Sequence, residues 1–418
     1  MSESRGAGVA SGSASGVASG SGVNGDSGSR PGRQRIAVLG STGSIGRQTL
    51  EILARHPDLF EPAVLTARTD WRTLAAQARA TEPDSVVIAE REFHAPLKEA
   101  LADLPIKVWT GDDAVAAAAG AGNVDVVVNA LVGWAGLAPT VSAVKAGKKV
   151  ALANKESLVV AGEMVMRLSA QHRAPIVPID SEHSAIMQCL VGETSPPRRV
   201  ILTASGGALR DVPLDDLAAV TPERALAHPN WKMGPKITID SATLVNKGFE
   251  VVEARWLFGL EPGQIDVLVH PQSIVHSMVE FADGAVKAQL GTPDMRVPIS
   301  YALSFPHRLP LSDDSGRLLL ADTPALTFAE VDEERYPALA LVREAMAAGG
   351  TALCTLNAAN EVAVAAFLAG RIRFTGIVET IRTALDRAEN TTRPTMDDYI
   401  NCNSHSRKIS EEIIASWK

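Results

Sequence analysis

The chain has 418 residues, enough for two or three domains, and its 46% hydrophobic and 21% charged residues are typical of a globular protein. A net charge of -8 argues against general nucleic-acid binding, which needs a basic surface, but leaves room for a local anion pocket. Three cysteines at no metal-ligand spacing indicate a reducing compartment without a disulfide framework. No apolar run approaches the roughly 20 residues that span a bilayer, so we expect no membrane partner.

Residues 1–34 differ from the rest of the chain. They are rich in Gly, Ser and Ala and contain no aromatic residue and no sustained apolar segment. Such a segment cannot bury enough apolar surface to offset its ordering entropy, so we predict a disordered tail. The missing apolar segment argues against a signal peptide. A transit peptide is the alternative, but the shortage of basic residues and of amphipathic pattern disfavours it.

Short apolar runs alternate with helical patterns over residues 35–180. This alternation predicts an α/β fold with a Rossmann-like, doubly wound parallel sheet, and therefore a nucleotide-binding domain over 35–180. The predicted strands cover 35–40, 63–67, 85–89, 124–131, 148–154 and 175–180. The predicted helices include Ser44–Arg55, Trp71–Thr81 and 137–147.

The pattern changes after Asp180. A strand over 200–204 and a hairpin that turns at Asp283-Gly284 predict an α+β catalytic domain over residues 181–305. A helix that starts near Asp240 or Ser241 would bury one apolar stripe, formed by Val245, Phe249, Val252 and Trp256. A Pro- and Leu-rich stretch predicts a linker over 306–330, and Ala-rich patterns predict a C-terminal helical domain over 331–418.

A glycine-rich loop over residues 40–46 follows the first strand and opens the first helix. Gly40 allows a tight turn, and Gly43 allows a pyrophosphate to approach the free N–H groups of the helix N-terminus. The second strand ends in Arg68 where an NAD site usually carries an acid, so a 2′-phosphate and hence NADPH are favoured, although Asp70 lies close. The alternative for the loop is an ordinary turn between strand and helix.

Charged and amide side chains also follow a later strand, at Asn154, Lys155 and Glu156. Because ligands of open α/β sheets bind at the carboxyl ends of the strands, a functional role is favoured over a solvated loop. We predict that Asn154 and Glu156 bind the cofactor.

Three carboxylates predict a cation site. Asp180 and Glu182 lie two residues apart, so an extended backbone would point both to one side, where Glu250 could join them. An all-oxygen ligand set suits Mg²⁺ or Mn²⁺. The alternative is a helix N-terminus, where acids are favourable. His183 would face away in the extended geometry, and we expect it to be structural.

Hydroxyl, amide and lysine side chains predict a site for a phosphate monoester. Ser205 lies in a Gly-rich segment with free N–H groups, and Ser241, Asn246 and Lys247 could add donors. His276 could help to hold the same ligand, or it could be a hairpin residue with internal partners. These donors indicate a small phosphorylated substrate.

A lid is predicted over residues 206–236. Gly206, Gly207 and Gly234 supply flexible points, while Trp231 and Met233 supply an apolar surface to be covered on closing. The alternative is that Trp231 belongs permanently to a core.

Seven segments together resemble one family, the 1-deoxy-D-xylulose 5-phosphate reductoisomerases. They read GSTGSIG, ALANKES, PIDSEHSAI, TASGGALR, HPNWKMGPKITIDSATLVNKGFEVVEARWLFG, HPQSIVHSMVEF and LGTPDMRVPI. The resemblance covers residues from about 35 to about 375 in order. It implies conversion of 1-deoxy-D-xylulose 5-phosphate to 2-C-methyl-D-erythritol 4-phosphate for non-mevalonate isoprenoid synthesis. It also implies NADPH, a divalent metal (Mg, Mn or Co), a homodimer and a bacterial cytoplasmic location.

The resemblance assigns roles residue by residue. It implies a cofactor loop at Thr42, Gly43, Ser44 and Ile45. It places the metal on Asp180, Glu182 and Glu250, and the substrate backbone on Lys155 and Ser181. It places the phosphate on Ser205, Ser241, Asn246 and Lys247 with His228 beside it, and the mobile flap at Trp231 and Met233.

Two departures and two rivals remain. Residues Thr66–Thr69 keep the basic residue but not the glycine and asparagine typical of the family, and residues from Pro394 do not resemble its usual ending. One rival is another NADP-dependent dehydrogenase acting on a small phosphorylated aldehyde. Those that work through a thiohemiacetal need a reactive cysteine, which no motif supplies. The other is a catalytically silent nucleotide sensor, which the intact set of Asp180, Glu182, Glu250 and Lys155 disfavours.

Overall fold

The computed structural model describes residues 32–311, 316–323 and 325–417. Residues 32–418 cluster into one compact unit. The predicted disordered tail therefore lies outside the described residues, except for its last three positions, and Gln34 already begins the first strand. The predicted domain boundaries inside this unit stay predictions.

Within the described ranges, seven parallel strands form the first sheet, in the order β4-β3-β2-β1-β5-β6-β7. The central β1 feeds crossovers to both sides, which is the doubly wound arrangement, and the predicted fold class is confirmed. The strands are β1 Gln34–Leu39, β2 Phe60–Ala67, β3 Ser85–Ile88, β4 Lys107–Thr110, β5 Val126–Asn129, β6 Lys149–Leu152 and β7 Ile176–Pro178.

Helices cover both faces of this sheet and bury the apolar strands beneath them. The predicted bounds of α1 and α2 agree with the structure, whereas β4, α3 and α4 were not predicted. Strand β4 lies at the sheet edge with alternate residues exposed, so it lacks the continuous apolar signal of the inner strands. The helices are α1 Ser44–Arg55, α2 Trp71–Thr81, α3 His94–Ala100, α4 Asp112–Ala119, α5 Leu137–Lys145 and α6 Glu156–His172.

A second, mixed sheet has the order β11-β10-β8-β9-β12. The predicted hairpin is present, and Gly284 adopts a φ of +86° in its turn. Strand β12 falls inside the predicted linker and pairs with β9, so part of that stretch joins the sheet. The strands are β8 Arg199–Ala204, β9 Ile265–Val269, β10 Val275–Glu280, β11 Val286–Leu290 and β12 Ala329–Glu330.

The prediction that one helix starts near Asp240 or Ser241 is wrong. Two helices replace it, because Leu244 adopts a left-handed φ of 58° between them. The break turns the second helix so that its apolar stripe still packs in the core while its polar side faces a cavity. The helices of this region are α7 Ser181–Leu190, α8 Pro222–Ala225, α9 Pro235–Thr243, α10 Val245–Phe258 and α11 Arg296–Ser304.

Four helices end the described chain, as the Ala-rich patterns predict. They share the largest core cluster with the second sheet and α10, so burial of apolar surface holds these parts together. They are α12 Pro337–Ala348, α13 Ala352–Leu368, α14 Gly376–Arg387 and α15 Met396–Ser416. Among the described residues, no helix combines the length and the apolarity that a bilayer span requires.

Candidate active site

A cavity of about 750 Å³ lies between the carboxyl ends of the first sheet and the second sheet. Most of the predicted site residues line it: Gly43, Ser44, Ile45, Lys155, Glu156, Asp180, Ser181, Glu182, Ser205, His228, Trp231, Met233, Ser241, Asn246, Lys247, Glu250 and His276. Three predicted residues do not line it: Thr42, Arg68 and Asn154. The cavity thus joins the glycine loop at one end to the polar donors at the other.

The three carboxylates predicted to bind a cation lie together. Carboxylate oxygens of Asp180, Glu182 and Glu250 are all within 4.8 Å of one another. The predicted extended backbone is wrong, because Asp180 is the N-cap of α7 and Glu182 lies in its first turn. The two acids therefore sit at a helix N-terminus, and Glu250 reaches them from α10. The donor set is all oxygen and fits a hard divalent cation.

Two buried lysines neutralise these carboxylates. Lys155 Nζ lies 2.6 Å from Asp180 and 3.2 Å from Glu250, and it donates to Asn246 at 2.8 Å. Lys247 Nζ contacts Glu182 at 2.6 Å and also pairs with Glu250. Each lysine thus bridges two of the three carboxylates, and Glu250 is shared by both lysines.

The pKa shifts follow from this packing. Burial alone would raise the pKa of Asp180, but Lys155 and His183 outweigh it and hold that pKa well below its usual range. Burial and the neighbouring Glu182 raise the pKa of Glu250 despite both lysines. Burial would lower the pKa of Lys155, but Asp180 and Glu250 raise it, so its ammonium form is favoured. Lys155 is therefore a charged hydrogen-bond donor rather than a base.

Sequence reasoning missed Glu253, which lies one helical turn beyond Glu250. It is fully buried, and its Oε2 lies 3.4 Å from Nδ1 of His183. Burial would lower the pKa of His183, but Glu253 and Asp180 raise it to about 9. The His183 Nε2 also contacts the carbonyl of Glu250 at 2.9 Å. Its Nδ1 lies 3.6 Å from Asp180, so the ring packs against that carboxylate, which agrees with the expected structural role.

The proposed anion end is built from a glycine loop packed on α9. Gly206 and Gly207 adopt φ values of +83° and +69°, and a Cβ at Gly207 would lie 2.6 Å from Ala242. This close approach brings Ser205 and Ser241 to the same part of the cavity wall. Ser205 Oγ accepts the backbone N–H of Gly207 at 3.1 Å.

The predicted lid over 206–236 is too long. Residues of its first part are buried in the core, including Leu209, Val212 and Leu217, and Arg335 holds two of its carbonyls. A second stretch without helix or strand, residues 226–234, contains Trp231 and Met233, and we call it the flap. Trp231 in the flap is half-buried, lines the cavity and lies 6.1 Å from the ring of His276.

His228 anchors the flap through its ring. Its Nδ1 accepts the backbone N–H groups of Asn230 at 3.2 Å and Trp231 at 3.0 Å, which leaves Nε2 to donate to Ser205 at 3.0 Å. These contacts require the neutral imidazole, and burial lowers the pKa of His228 accordingly.

We therefore expect acid to loosen the flap. An unfolded histidine titrates near pH 6.5, and the folded pKa of His228 is lower. The stabilisation of the flap by the neutral His228 ring is thus complete above about pH 6.5. It is lost as the pH falls through the folded pKa of His228. The rate of proteolytic cleavage within 226–234 should rise over that range. A His228→Asn variant, which keeps an acceptor but does not titrate, should show a flat profile; equal profiles would contradict the assignment.

The nucleotide end is less complete. Gly43 is the N-cap of α1, and Ser44 and Ile45 face the cavity. Arg68 is outside the cavity wall and pairs with Glu90 at 2.9 Å in an exposed position. Its role toward a 2′-phosphate stays a prediction.

Asn154 requires a correction. Its side chain is fully buried, and Nδ2 donates to the carbonyls of Leu131 and Gly133 and to Glu156. Through these contacts Asn154 holds the loop after β5, and its buried side chain does not line the cavity where a cofactor would bind. Glu156 does line the cavity, where it pairs with Lys236 at 3.1 Å, a residue that sequence reasoning did not single out.

A doubly wound sheet whose glycine loop opens into a cavity with clustered carboxylates and lysines defines a nucleotide-dependent oxidoreductase. Family models agree and are more specific. The model for 1-deoxy-D-xylulose 5-phosphate reductoisomerase matches residues 36–162, and models for C-terminal domains of the same family match residues 176–258 and 290–409. The chain belongs to the 1-deoxy-D-xylulose 5-phosphate reductoisomerase family. The match to residue 409 corrects the expectation that the family likeness fades from Pro394.

Individual relatives support the same assignment. The reductoisomerase of Bacteroides thetaiotaomicron is 54% identical over 390 residues, which cover 93% of this chain and all of the relative. That of Porphyromonas gingivalis is 50% identical, with 92% and 100% covered. The structure of the Zymomonas mobilis enzyme in complex with NADPH superposes with a TM-score of 0.85 at 41% identity, covering 91% and 99% of the two chains. A reductoisomerase complex with NADPH, fosmidomycin and magnesium gives 0.87 at 39% identity, covering 91% and 98%.

Proposed function

We propose that the chain converts 1-deoxy-D-xylulose 5-phosphate to 2-C-methyl-D-erythritol 4-phosphate with NADPH and a divalent cation. The observation that carries the proposal is a single cavity that joins the glycine loop to the cluster of Asp180, Glu182 and Glu250. Solved relatives bind NADPH and magnesium, which supports both cofactors here.

Asp180, Glu182 and Glu250 would hold the cation, which when bound supplies Lewis acidity toward the carbonyl and hydroxyl oxygens of a substrate. Lys155 lies against the same carboxylates at 2.6–3.2 Å and stays protonated. Its ammonium group can therefore stabilise an oxyanion that develops during rearrangement and hydride transfer. A group that is already charged and positioned needs no reorganisation at that moment.

The far end of the cavity would grip the substrate phosphate. Ser205, Ser241 and Asn246 offer hydroxyl and amide donors, and Lys247 offers an ammonium. In the structure Lys247 is engaged with Glu182 and Glu250, so its charge is held at the border between the carboxylates and these donors. A phosphate gripped away from the reacting carbons contributes binding energy that closes the flap and orients the reaction.

The direct test is NADPH oxidation by the purified chain with 1-deoxy-D-xylulose 5-phosphate and Mg²⁺ or Mn²⁺. We expect turnover that depends on both the ketose phosphate and the cation, with the branched polyol phosphate as product. Oxidation of NADPH with phosphorylated aldehydes but not with the ketose would instead indicate a simple dehydrogenase. NADPH binding without turnover of either class would indicate a sensor.

A flap closing on ligand makes a second prediction. The free enzyme should be cleaved within residues 226–234, and fosmidomycin with Mg²⁺ should protect it, because a solved relative forms a complex with fosmidomycin and magnesium. Trp231→Phe should weaken fosmidomycin and lower turnover, since a smaller ring covers less of the cavity. Trp109, which is 54% exposed and remote from the cavity, provides the matched control Trp109→Phe. Resistance to cleavage without ligand, together with an unaffected Trp231→Phe enzyme, would show that Trp231 is merely structural.

We also propose a homodimer in the bacterial cytoplasm. The family resemblance supports the dimer. The exposed edge strand β11 also offers unpaired backbone groups to a second copy. Three unpaired cysteines support a reducing compartment. Sedimentation equilibrium of the purified chain measures its mass in solution, and we expect the mass of two copies.

A further inference from the structure

Two adjacent side chains of α13 reach from the C-terminal helices to two different elements that line the cavity. Asn360 is fully buried, and its Nδ2 donates to Oδ1 of Asp240 in α9 at 2.8 Å. Glu361 accepts the backbone N–H of Trp134, in the loop after β5, at 2.9 Å. They contact residues of the elements that form the cavity wall, but they do not line the cavity themselves.

We call the contacts that start from Asn360 the Asn360 arm, and those that start from Glu361 the Glu361 arm. The Asn360 arm continues to the cavity wall through a series of buried charged side chains. Asp240 Oδ2 pairs with Lys236 at 2.7 Å, and Lys236 pairs with Glu156 at 3.1 Å. Burial would lower the pKa of Lys236, but Asp240 and Glu156 raise it, so the lysine stays charged. Lys236 and Glu156 both line the cavity. Asp240 also precedes Ser241 in α9, so this arm sets the position of a proposed phosphate donor.

The Glu361 arm holds the loop that borders the nucleotide end. Residues 130–132 of this loop line the cavity. Gly133 adopts a φ of +71°, and a Cβ there would lie 2.5 Å from Oε1 of Glu361, so the carboxylate packs on bare backbone. Glu361 is itself fixed, because Oε1 accepts from Asn357 at 3.0 Å and Oε2 pairs with Arg407 of α15. The terminal helix thereby supports the loop.

We propose that Asn360 and Glu361 are positioning residues for the reaction. Asn360 fixes the wall that carries Lys236 and Glu156, and Glu361 fixes the loop at the nucleotide end. The physical reason is that Asp240 is buried with one partner on each oxygen, so loss of Asn360 leaves Oδ1 without a donor and frees the wall to shift. A displacement of about 1 Å in such a wall can reduce turnover about a hundredfold.

The first variant is Asn360→Leu, which keeps the branching of the side chain at Cγ and removes its hydrogen-bonding groups. We expect kcat to fall about ten- to a hundredfold. The control is Thr380→Val, which removes a buried hydrogen bond inside α14 that has no link to the cavity. It should lower the melting temperature without lowering kcat. If Asn360 acts through Asp240, its effect should shrink in an Asp240→Asn background. Wild-type kcat in Asn360→Leu, or strict additivity of the two changes, would overturn the inference for this arm.

The second pair is Glu361→Ala and Glu361→Gln. Alanine removes the acceptor for the Trp134 N–H, whereas glutamine keeps an acceptor at the same place. We expect a raised KM for NADPH with alanine, about tenfold for one lost charge-assisted hydrogen bond, and partial rescue with glutamine. Equal KM values for the two variants and the wild type would overturn this arm.

The catalytic readouts rest on the proposed function, so a third measurement is independent of it. Hydrogen exchange should speed up in α9 for Asn360→Leu and at the Trp134 amide for Glu361→Ala, relative to Thr380→Val. If the wild-type chain does not convert the ketose phosphate, the proposed function fails, and these exchange rates decide the inference alone. Unchanged rates would overturn it.

Discussion

Glu250→Gln should lower turnover by roughly two to three orders of magnitude while NADPH binds almost as before, because the change removes one of three charges from the proposed cation site. Glu250 is 1% exposed and lies between Lys155 and Lys247. The fold should survive, since Lys155 keeps Asp180 and Lys247 keeps Glu182 as partners. Glutamine also fills the same volume. The loss is therefore one of cation affinity and charge, not of packing.

The measurements are kcat as a function of Mg²⁺ concentration, NADPH affinity by fluorescence, and the melting temperature. Glu253→Gln is the matched control, because it removes an equally buried carboxylate one turn along α10 that does not line the cavity. We expect it to retain far more activity than Glu250→Gln. Near wild-type turnover of Glu250→Gln at saturating cation, or a collapse of NADPH affinity, would contradict the cation assignment.

Local signals made the first half of the fold predictable. The run of apolar residues in β1, followed by glycine and then the amphipathic α1, located the strand to within one residue and gave the bounds of the helix. A buried parallel strand and a surface helix each have a recognisable sequence pattern. Strand β9 alternates buried and half-buried residues among charged neighbours and was missed. The break at Leu244 was also missed, since leucine gives no local sign of a left-handed conformation.

The residues of the site were easier to predict from the sequence than the contacts that these residues make. Carboxylates, lysines and serines in the motif segments could be named from residue type, and most of them line one cavity. What pairs with what depends on contacts distant in sequence, such as Asn360 with Asp240 across 120 residues. Asn154 was misjudged for the same reason: an amide at the end of a strand suggests a ligand contact, whereas here the loop after β5 surrounds it.

Arg68→Ala should raise the KM for NADPH about ten- to a hundredfold and leave NADH little changed, if Arg68 binds the 2′-phosphate. Arg68 follows β2 and pairs with Glu90 at 2.9 Å, with 66% and 43% of the two side chains exposed. An exposed ion pair contributes about 0–1 kcal/mol, whereas a charge-assisted hydrogen bond to a phosphate contributes about 1.5–3 kcal/mol. The phosphate should therefore displace Glu90.

The control is Glu90→Gln, which removes the competing carboxylate and keeps its size. It should leave the KM for NADPH unchanged or lower it, by no more than about fivefold, because that is the most an exposed pair contributes. The ratio of kcat/KM for NADPH to that for NADH should thus fall in Arg68→Ala and hold or rise in Glu90→Gln. Equal losses for both cofactors in Arg68→Ala would mean that Arg68 supports the fold of the strand end rather than reading the 2′-phosphate.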